Sequence, residues 1–189
     1  MLAMTNVVAT SLPLTTGTWT ADPAHTTIGF VVRHLGLSKV RGRFDGVTAQ
    51  LVVGNDLAST VVTAEVEMST VKTGNPDRDA HLASSEFFNA DTNPTMSFRS
   101  SSITGDGEEY TLVGDLTING ITKQVELDVE FFGTSVFPMD QSTRAGFAAT
   151  GTISRKDFAI EWDVPLGGDK MMIGDKVALE LDVQVVAPS

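Results

Sequence analysis

The stretch Val177–Val185 constrains this chain most. Val177, Leu179, Leu181, Val183 and Val185 alternate with Ala178, Glu180, Asp182 and Gln184. A period of two puts every apolar side chain on one face and every polar one on the other, which a strand satisfies and a helix does not. The stretch 125–131 repeats the pattern, with Val125, Leu127, Val129 and Phe131 against Glu126, Asp128 and Glu130. Weaker versions cover 40–53, 60–68, 94–103, 109–118 and 145–154, and 17–33 carries Ile28, Phe30 and Val32 on one face. The pattern predicts about eight strands. Asn119-Gly120 between two of them reads as a type I′ hairpin turn. Short connections favour antiparallel neighbours over βαβ units.

Two stretches interrupt the pattern. At 75–93, Asn75 suits a helix N-cap, Pro76 its first position, and Asp77 and Asp79 the positive end of the dipole, so a short helix is expected near 76–84. The Pro/Gly-rich stretch 161–175 reads as a long loop, a lid or mouth. Residues 1–16 read as a flexible tail ahead of a single domain over 17–187.

Strands with one apolar face must bury those faces together, between two sheets or inside one closed sheet. Closure also removes edges, and sequential hairpins favour an up-and-down barrel over a sandwich. With eight strands the interior is either filled by side chains or holds one small ligand. Small inward residues (Gly42, Ala49, Ala64, Gly114, Ala149, Gly151) argue for space, and Phe30, Phe44, Phe98, Phe131 and Phe147 for apolar walls. The alternative is that the small residues only absorb taper and bends.

Charge and composition exclude several functions. A formal charge of −11 disfavours nucleic acid, although Lys39, Arg41 and Arg43 form a candidate basic patch. The absence of cysteine removes disulfides, thiol nucleophiles and zinc–thiolate sites. No apolar run is long enough for a membrane span, and residues 1–20 lack the charged start and continuous apolar core of a secretory leader, so a cytoplasmic location is expected. His25, His34 and His81 have no metal spacing, even with Asp79 added, and they read as partners of backbone groups at strand and helix ends. Nucleophile-elbow, phosphate-loop and dinucleotide patterns are absent. Arg33, Arg78, Arg144 and Arg155 are isolated arginines, suited either to a head group at a barrel mouth or to surface ion pairs.

The sequence resembles the YceI-like proteins over about residues 17–186. The matching blocks are Asp22-Pro23-Ala24-His25-Thr26 with Ile28, Phe30, His34 and Gly36; Gly42, Phe44 and Gly46; Arg78–Leu82 and Glu86–Ala90; Pro94 and Phe98; Gly114–Gly120; Arg144–Phe147; Arg155, Asp157, Phe158 and Trp162; and Ile173-Gly174. Their order and spacing carry the likeness. One departure is Ala159, where a glycine commonly follows Asp-Phe.

The resemblance implies an all-β fold, an extended eight-stranded antiparallel lipocalin-like barrel with a helical insertion near 76–90. It implies a lumen that binds, sequesters or transports a long isoprenoid, such as a polyprenyl phosphate or isoprenoid quinone, with no catalytic residues, cofactor or metal. Many members are periplasmic. The expected tail contacts are Ile28, Phe30, Val32, Phe44, Phe87, Phe98, Leu116, Phe147 and Trp162. The head group is expected near His25, His34, Arg78, Asp79 or His81. A small-barrel enzyme of the cyclase or isomerase type, with His25, His34 and Asp79 as acid–base groups, and a filled stress-related scaffold are the competing readings. A homodimer stays open.

Overall fold

The structure, a computed structural model, describes residues 11–189. Its strands are β1 (Gly17–Ala21), β2 (Thr27–His34), β3 (Ser38–Phe44), β4 (Val47–Val53), β5 (Val61–Glu67) and β6 (Val71–Lys72). After helix α1 (Pro76–Ala83) come β7 (Thr95–Asp106), β8 (Glu109–Ile118), β9 (Ile121–Val136), β10 (Thr143–Ser154), β11 (Pro165–Gly167), β12 (Lys170–Met171) and β13 (Ile173–Val186). The main sheet runs β1-β4-β5-β7-β8-β9-β10-β13-β2-β3-β6, and a β1–β13 pairing closes it into a barrel. Every pairing is antiparallel.

The eleven strands of the main sheet make eight staves because three of them are broken, one of these at the Met68–Thr70 turn between β5 and β6. The stretch expected as one strand over 17–33 breaks at a 3-10 turn, Pro23–His25, capped by the Asp22 carboxylate. Proline at its first position fixes φ and supplies no ladder donor, so the chain steps outward there. The halves β1 and β2 both lie on β13, at Thr20↔Val186 and Leu181↔Ile28. The stretch expected over 40–53 likewise breaks at Asp45-Gly46 into β3 and β4.

Local expectations elsewhere follow the same chemistry. Asn119 and Gly120 both take positive φ, 54° and 73°, as a type I′ turn requires. The Asn75 side chain accepts from Arg78 N, and Pro76 opens α1. The 161–175 loop contains a small β11–β12 hairpin. Ala159 ends the 3-10 turn Arg155–Phe158 in the left-handed region at φ 56°, where glycine is free of the roughly 1–2 kcal/mol that a Cβ costs.

The two ends of the barrel are built differently. At one end Trp19, 1% exposed, packs with Leu12, Leu51, Leu57, Tyr110, Phe131 and Val185. Its indole Nε1 donates to Thr15 O at 2.9 Å, so Leu12 and Thr15, within the stretch expected as a tail, belong to this plug. The rest of that expected tail, residues 1–10, lies outside the described residues. At the other end α1, the 84–94 segment and the Arg155–Trp162 segment cover the opening, and Phe44, Met68, Phe87, Phe158 and Ile160 form a second packed cluster.

Two arginines hold these ends. Arg155 is buried; its guanidinium donates to the carbonyls of Ile160 (2.8 Å), Trp162 (3.0 Å) and Gly174 (3.0 Å) and to Asp163 Oδ2 (2.5 Å). Asp163 Oδ1 accepts from the backbone N–H groups of Val164 and Ile173, which ties both ends of the loop to one ion pair. Arg144, at the plugged end, bonds Asp22, Asp140 and Gln184 and lies over the Phe137 ring. All five Arg155 donors are taken, and Arg144 is held by its partners at the plugged end, so neither arginine is placed to serve a head group at an open mouth.

Two outcomes are expected. Arg155→Met leaves Asp163 buried without its cation and frees several carbonyls. Urea denaturation should show a loss of about 3–5 kcal/mol. The second concerns Asp22, whose carboxyl lies below its ordinary 3.8, chiefly through the His25 hydrogen bond, with Ala24 N–H and Arg144 adding and burial opposing. A depressed carboxyl contributes stability that is complete above its unfolded value and lost as pH falls through its folded value. Asp22→Asn should therefore be less stable than wild type at neutral pH, and the gap should close below pH 3.8 in urea midpoints measured across the acid range.

Candidate ligand cavity

A cavity of about 480 Å³ occupies the barrel between its two packed ends. Its walls are the inward positions of β2 to β5, β7 to β10 and β13, the positions that period-two alternation assigns to one face. Ile28, Phe30, Val32, Phe98, Phe147, Leu179 and Leu181 all border it, and all are only half-buried. In a filled barrel such residues would be sealed by neighbours; here their remaining exposure faces the lumen.

The lumen is hollow for a reason that the small residues alone do not supply. Ala49, Ala64 and Ala149 line the space as expected. The inward glycines do not open onto it. Gly42 stands opposite Phe30 in the β2–β3 register, and a Cβ on Gly42 would meet Phe30 Cζ at 2.2 Å. The Phe30 ring therefore lies on the barrel wall above the glycine instead of projecting inward. Phe98 lies over Gly114 in the same way, at 2.4 Å from a Cβ built there, and Leu127 covers Gly151 at 2.6 Å. Glycine makes room for a ring against the wall, and the flattened ring leaves the centre free.

The structure brings most of the expected site residues to this cavity. Ile28, Phe30, Val32, His34, Phe44, Arg78, His81, Phe87, Phe98, Leu116, Phe147 and Trp162 line it. His25 and Asp79 do not. His25 is exposed on the outer turn, where its Nδ1 donates to Asp22 at 2.9 Å. Asp79 turns back onto its own helix entry and accepts from Thr73 N (2.8 Å) and Thr73 Oγ1 (2.6 Å). The three histidines therefore do not converge. No cluster of three or more metal-ligating side chains occurs among the described residues.

Leu12, Tyr110 and Met172 also line the cavity without having been singled out from sequence. Leu12 precedes any alternation, so no periodic signal points to it. Tyr110 is inward by the register of β8, and its hydroxyl donates to Gly107 O at 3.1 Å. Burial pushes that phenol above its ordinary value, with Asp106 adding.

Polarity is segregated along the axis. The charged and ionisable side chains on the lining are Arg33, His34, Arg78, His81 and Arg155, all at the end covered by α1, together with Tyr110 at the plug. Arg33 and Arg78 are exposed, while His34, His81, Trp162 and Met172 are half-buried; this is where the lumen reaches solvent. The mouth is framed by an aromatic triad. His81 stands edge-on to Phe87 and Trp162, with ring centroids 5.0 and 4.8 Å away, and Phe87 meets Trp162 at 5.2 Å. His81 Nε2 is 2.6 Å from Glu86 Oε2. Arg78 donates to Thr73 Oγ1 and O at 2.7 and 2.8 Å, so its guanidinium is oriented without a carboxylate partner among the described residues. A tube with an apolar shaft and a polar, cationic mouth can take an amphiphile tail first.

Known proteins agree with this geometry. The YceI-like domain family matches residues 19–185. A UPF0312 protein of Staphylococcus aureus strain N315 is 38% identical over 167 residues, spanning 88% of this chain and 95% of that protein. Among solved structures, a YceI protein of Campylobacter jejuni aligns with TM-score 0.69 and 28% identity over 83% of this chain and 90% of its own. BcnA of Burkholderia cenocepacia aligns with TM-score 0.75 and 20% identity over 87% of this chain and 98% of its own. A polyisoprenoid-binding domain from Saccharophagus degradans, implicated in plant cell wall breakdown, aligns with TM-score 0.62 and 14% identity over 92% and 100%. The last two likenesses bear on fold alone.

Gly42→Val tests the origin of the hollow. The added side chain should push Phe30 into the lumen, cost roughly 1–3 kcal/mol by overpacking, and reduce the quantity of hydrophobic probe the folded protein holds. Unchanged probe capacity would show that the ring position does not set the space.

Proposed function

The chain belongs to the YceI-like family, and on that premise we propose that it binds a long-chain isoprenoid or similar amphiphilic lipid, tail in the lumen and head group at the mouth. The observation that carries this reading is the largely apolar lining of the cavity, whose charged side chains all lie at the open end. A volume of about 480 Å³ lies within the roughly 300–1,000 Å³ of small-molecule sites. Each methylene removed from water contributes about 0.8 kcal/mol, so a prenyl chain gains affinity from length without any polar contact in the shaft. Ordering the flexible tail offsets part of that gain.

The head-group end is Arg33, His34, Arg78 and His81. Cations favour an anionic or strongly accepting group such as a phosphate, and a quinone carbonyl is served by the same donors. A solved structure of the same fold is described as a polyisoprenoid-binding domain, and the proposal takes its tail class from that protein. Sequestration or transport fits a site with this layout better than catalysis does, because among the described residues the shaft offers no paired acid and base to a buried substrate. The reading extends to a polyprenyl phosphate or isoprenoid quinone as the ligand class.

Native mass spectrometry of the purified protein, followed by organic extraction, tests the proposal. The expected result is a co-purified prenyl lipid near equal stoichiometry, lost from a folded Phe30→Asp variant because a carboxylate in the apolar shaft must be desolvated against the tail. A protein that emerges empty and refuses added prenyl lipids would count against it.

A further inference from the structure

The mouth carries more exposed apolar surface than a ligand entrance requires. Leu37, at the tip of the β2–β3 hairpin, is 81% exposed. Leu35 beside it is exposed too, and so are Val164, Leu166 and Met171 on the β11–β12 loop. The two tips are one surface: Leu35 N donates to Met172 O at 2.7 Å, and Met172 N to Val164 O at 3.0 Å. Met172 and His34, between these residues, line the cavity, so the collar is continuous with the lumen. Contiguous exposed apolar side chains mark an interaction face, and these project from two loop tips around one opening.

The charge around the collar indicates what it meets. Arg33 and Lys39 stand directly opposite each other in the β2–β3 register, both exposed, and neither has an ion-pair partner among the described residues. Like charges across a strand pair repel, and here no carboxylate relieves them. Farther down the same strand, Arg41 and Arg43 are paired, with Glu180 and Asp45. Arg33 and Lys39 are thus two unpaired cations at the collar of a chain whose formal charge is −11. On the facing loop Asp169 and Lys170 offset one another and Glu161 is acidic, and on α1 Asp77 and Asp79 outweigh Arg78, so the positive side of the collar is the hairpin.

We infer that the mouth docks on an anionic lipid bilayer, with the tips bearing Leu37 and Leu166 entering the interface and Arg33 and Lys39 meeting lipid phosphates. Apolar tips with flanking cations bind membrane interfaces through buried area plus attraction to anionic lipid. Docked in this way, the lumen opens toward the bilayer and a prenyl tail passes from lipid to shaft without crossing water. This role presumes the lipid-binding reading above, but the docking itself is separable from it.

Flotation of the full chain with vesicles separates the two. One set is phosphatidylcholine alone and the other equal parts phosphatidylcholine and phosphatidylglycerol. Wild type should bind the anionic vesicles, release as salt rises, and bind the neutral ones poorly. Leu37→Asp with Leu166→Asp should bind about ten-fold more weakly or less, as should the surface variant Lys39→Glu, which guards against a folding defect in the double variant. Phe132→Asp, exposed near the plugged end, should bind as wild type. All variants should still take up farnesol from solution in native mass spectra. Wild type that ignores anionic vesicles, tip variants that bind undiminished, or self-association through the collar without vesicle binding would overturn the inference. Vesicle binding by a protein that refuses farnesol would uphold docking and overturn the cavity reading instead.

Discussion

Closure along β13 is the interaction on which the rest of the structure depends. This strand pairs with β10 on one side, through Arg144↔Val186 to Ser154↔Lys176, and with β2 and then β1 on the other. Without the last two pairs, Thr20↔Val186 and Ala21↔Val185, the sheet would be an open ribbon with two unsatisfied edges and no inside. With them, every inward residue of eight staves faces a common axis. The broken first stave serves this closure: the Pro23–His25 turn lets one segment of chain leave β13 and return to it in a position to pair with β4 as well. Asp22, Arg144 and Gln184 hold the break, which explains why so exposed a turn carries so many directed hydrogen bonds.

Closure alone yields a filled barrel as readily as a hollow one. The hollow comes from pairing an aromatic or leucine side chain with a glycine neighbour, three times over, so that bulk is laid against the wall. Phe30 over Gly42, Phe98 over Gly114 and Leu127 over Gly151 each satisfy local packing at the wall and withdraw atoms from the axis. Among the described residues the resulting shaft has no charged group with which to choose among tails. Discrimination inside it rests on length and cross-section, and chemical discrimination falls to the few side chains at the mouth.

The mouth is therefore where the chain concentrates its polar organisation. Arg155 and Asp163 are fully used in fixing the 155–175 segment, which lets Trp162 stand against His81 and Phe87 at the rim. Arg33, Arg78 and His34 keep donors available. The division between arginines that hold backbone and arginines that face the opening follows from burial and from what surrounds each one, not from residue type.

Alternation, turn chemistry and capping residues are local, and they were legible. The strands of the C-terminal half, the Asn119-Gly120 turn and the Asn75-capped helix all follow from side chains within a few positions of one another, and the ordered blocks from Asp22 to Gly174 pointed to the fold. Alternation also marked which residues share the lumen face, because register is set by period two. The breaks at 22–26 and 45–46 were not legible, since β1 and β2, or β3 and β4, each keep strand-like patterns and differ only in which neighbours they pair with. The withdrawal of His25 and Asp79 from the cavity has the same origin: a titratable side chain looks alike in sequence whether it bonds Asp22 or Thr73 on the outside or faces a ligand. Leu12 joined the plug through contacts with strands far along the chain. Sequence by itself determined the faces, the turns and the apolar character of the interior. Tertiary structure decided that the interior is hollow and which end is open, because a ring over a glycine and an arginine among distant carbonyls are contacts between strands, and their geometry exists only once the sheet has closed.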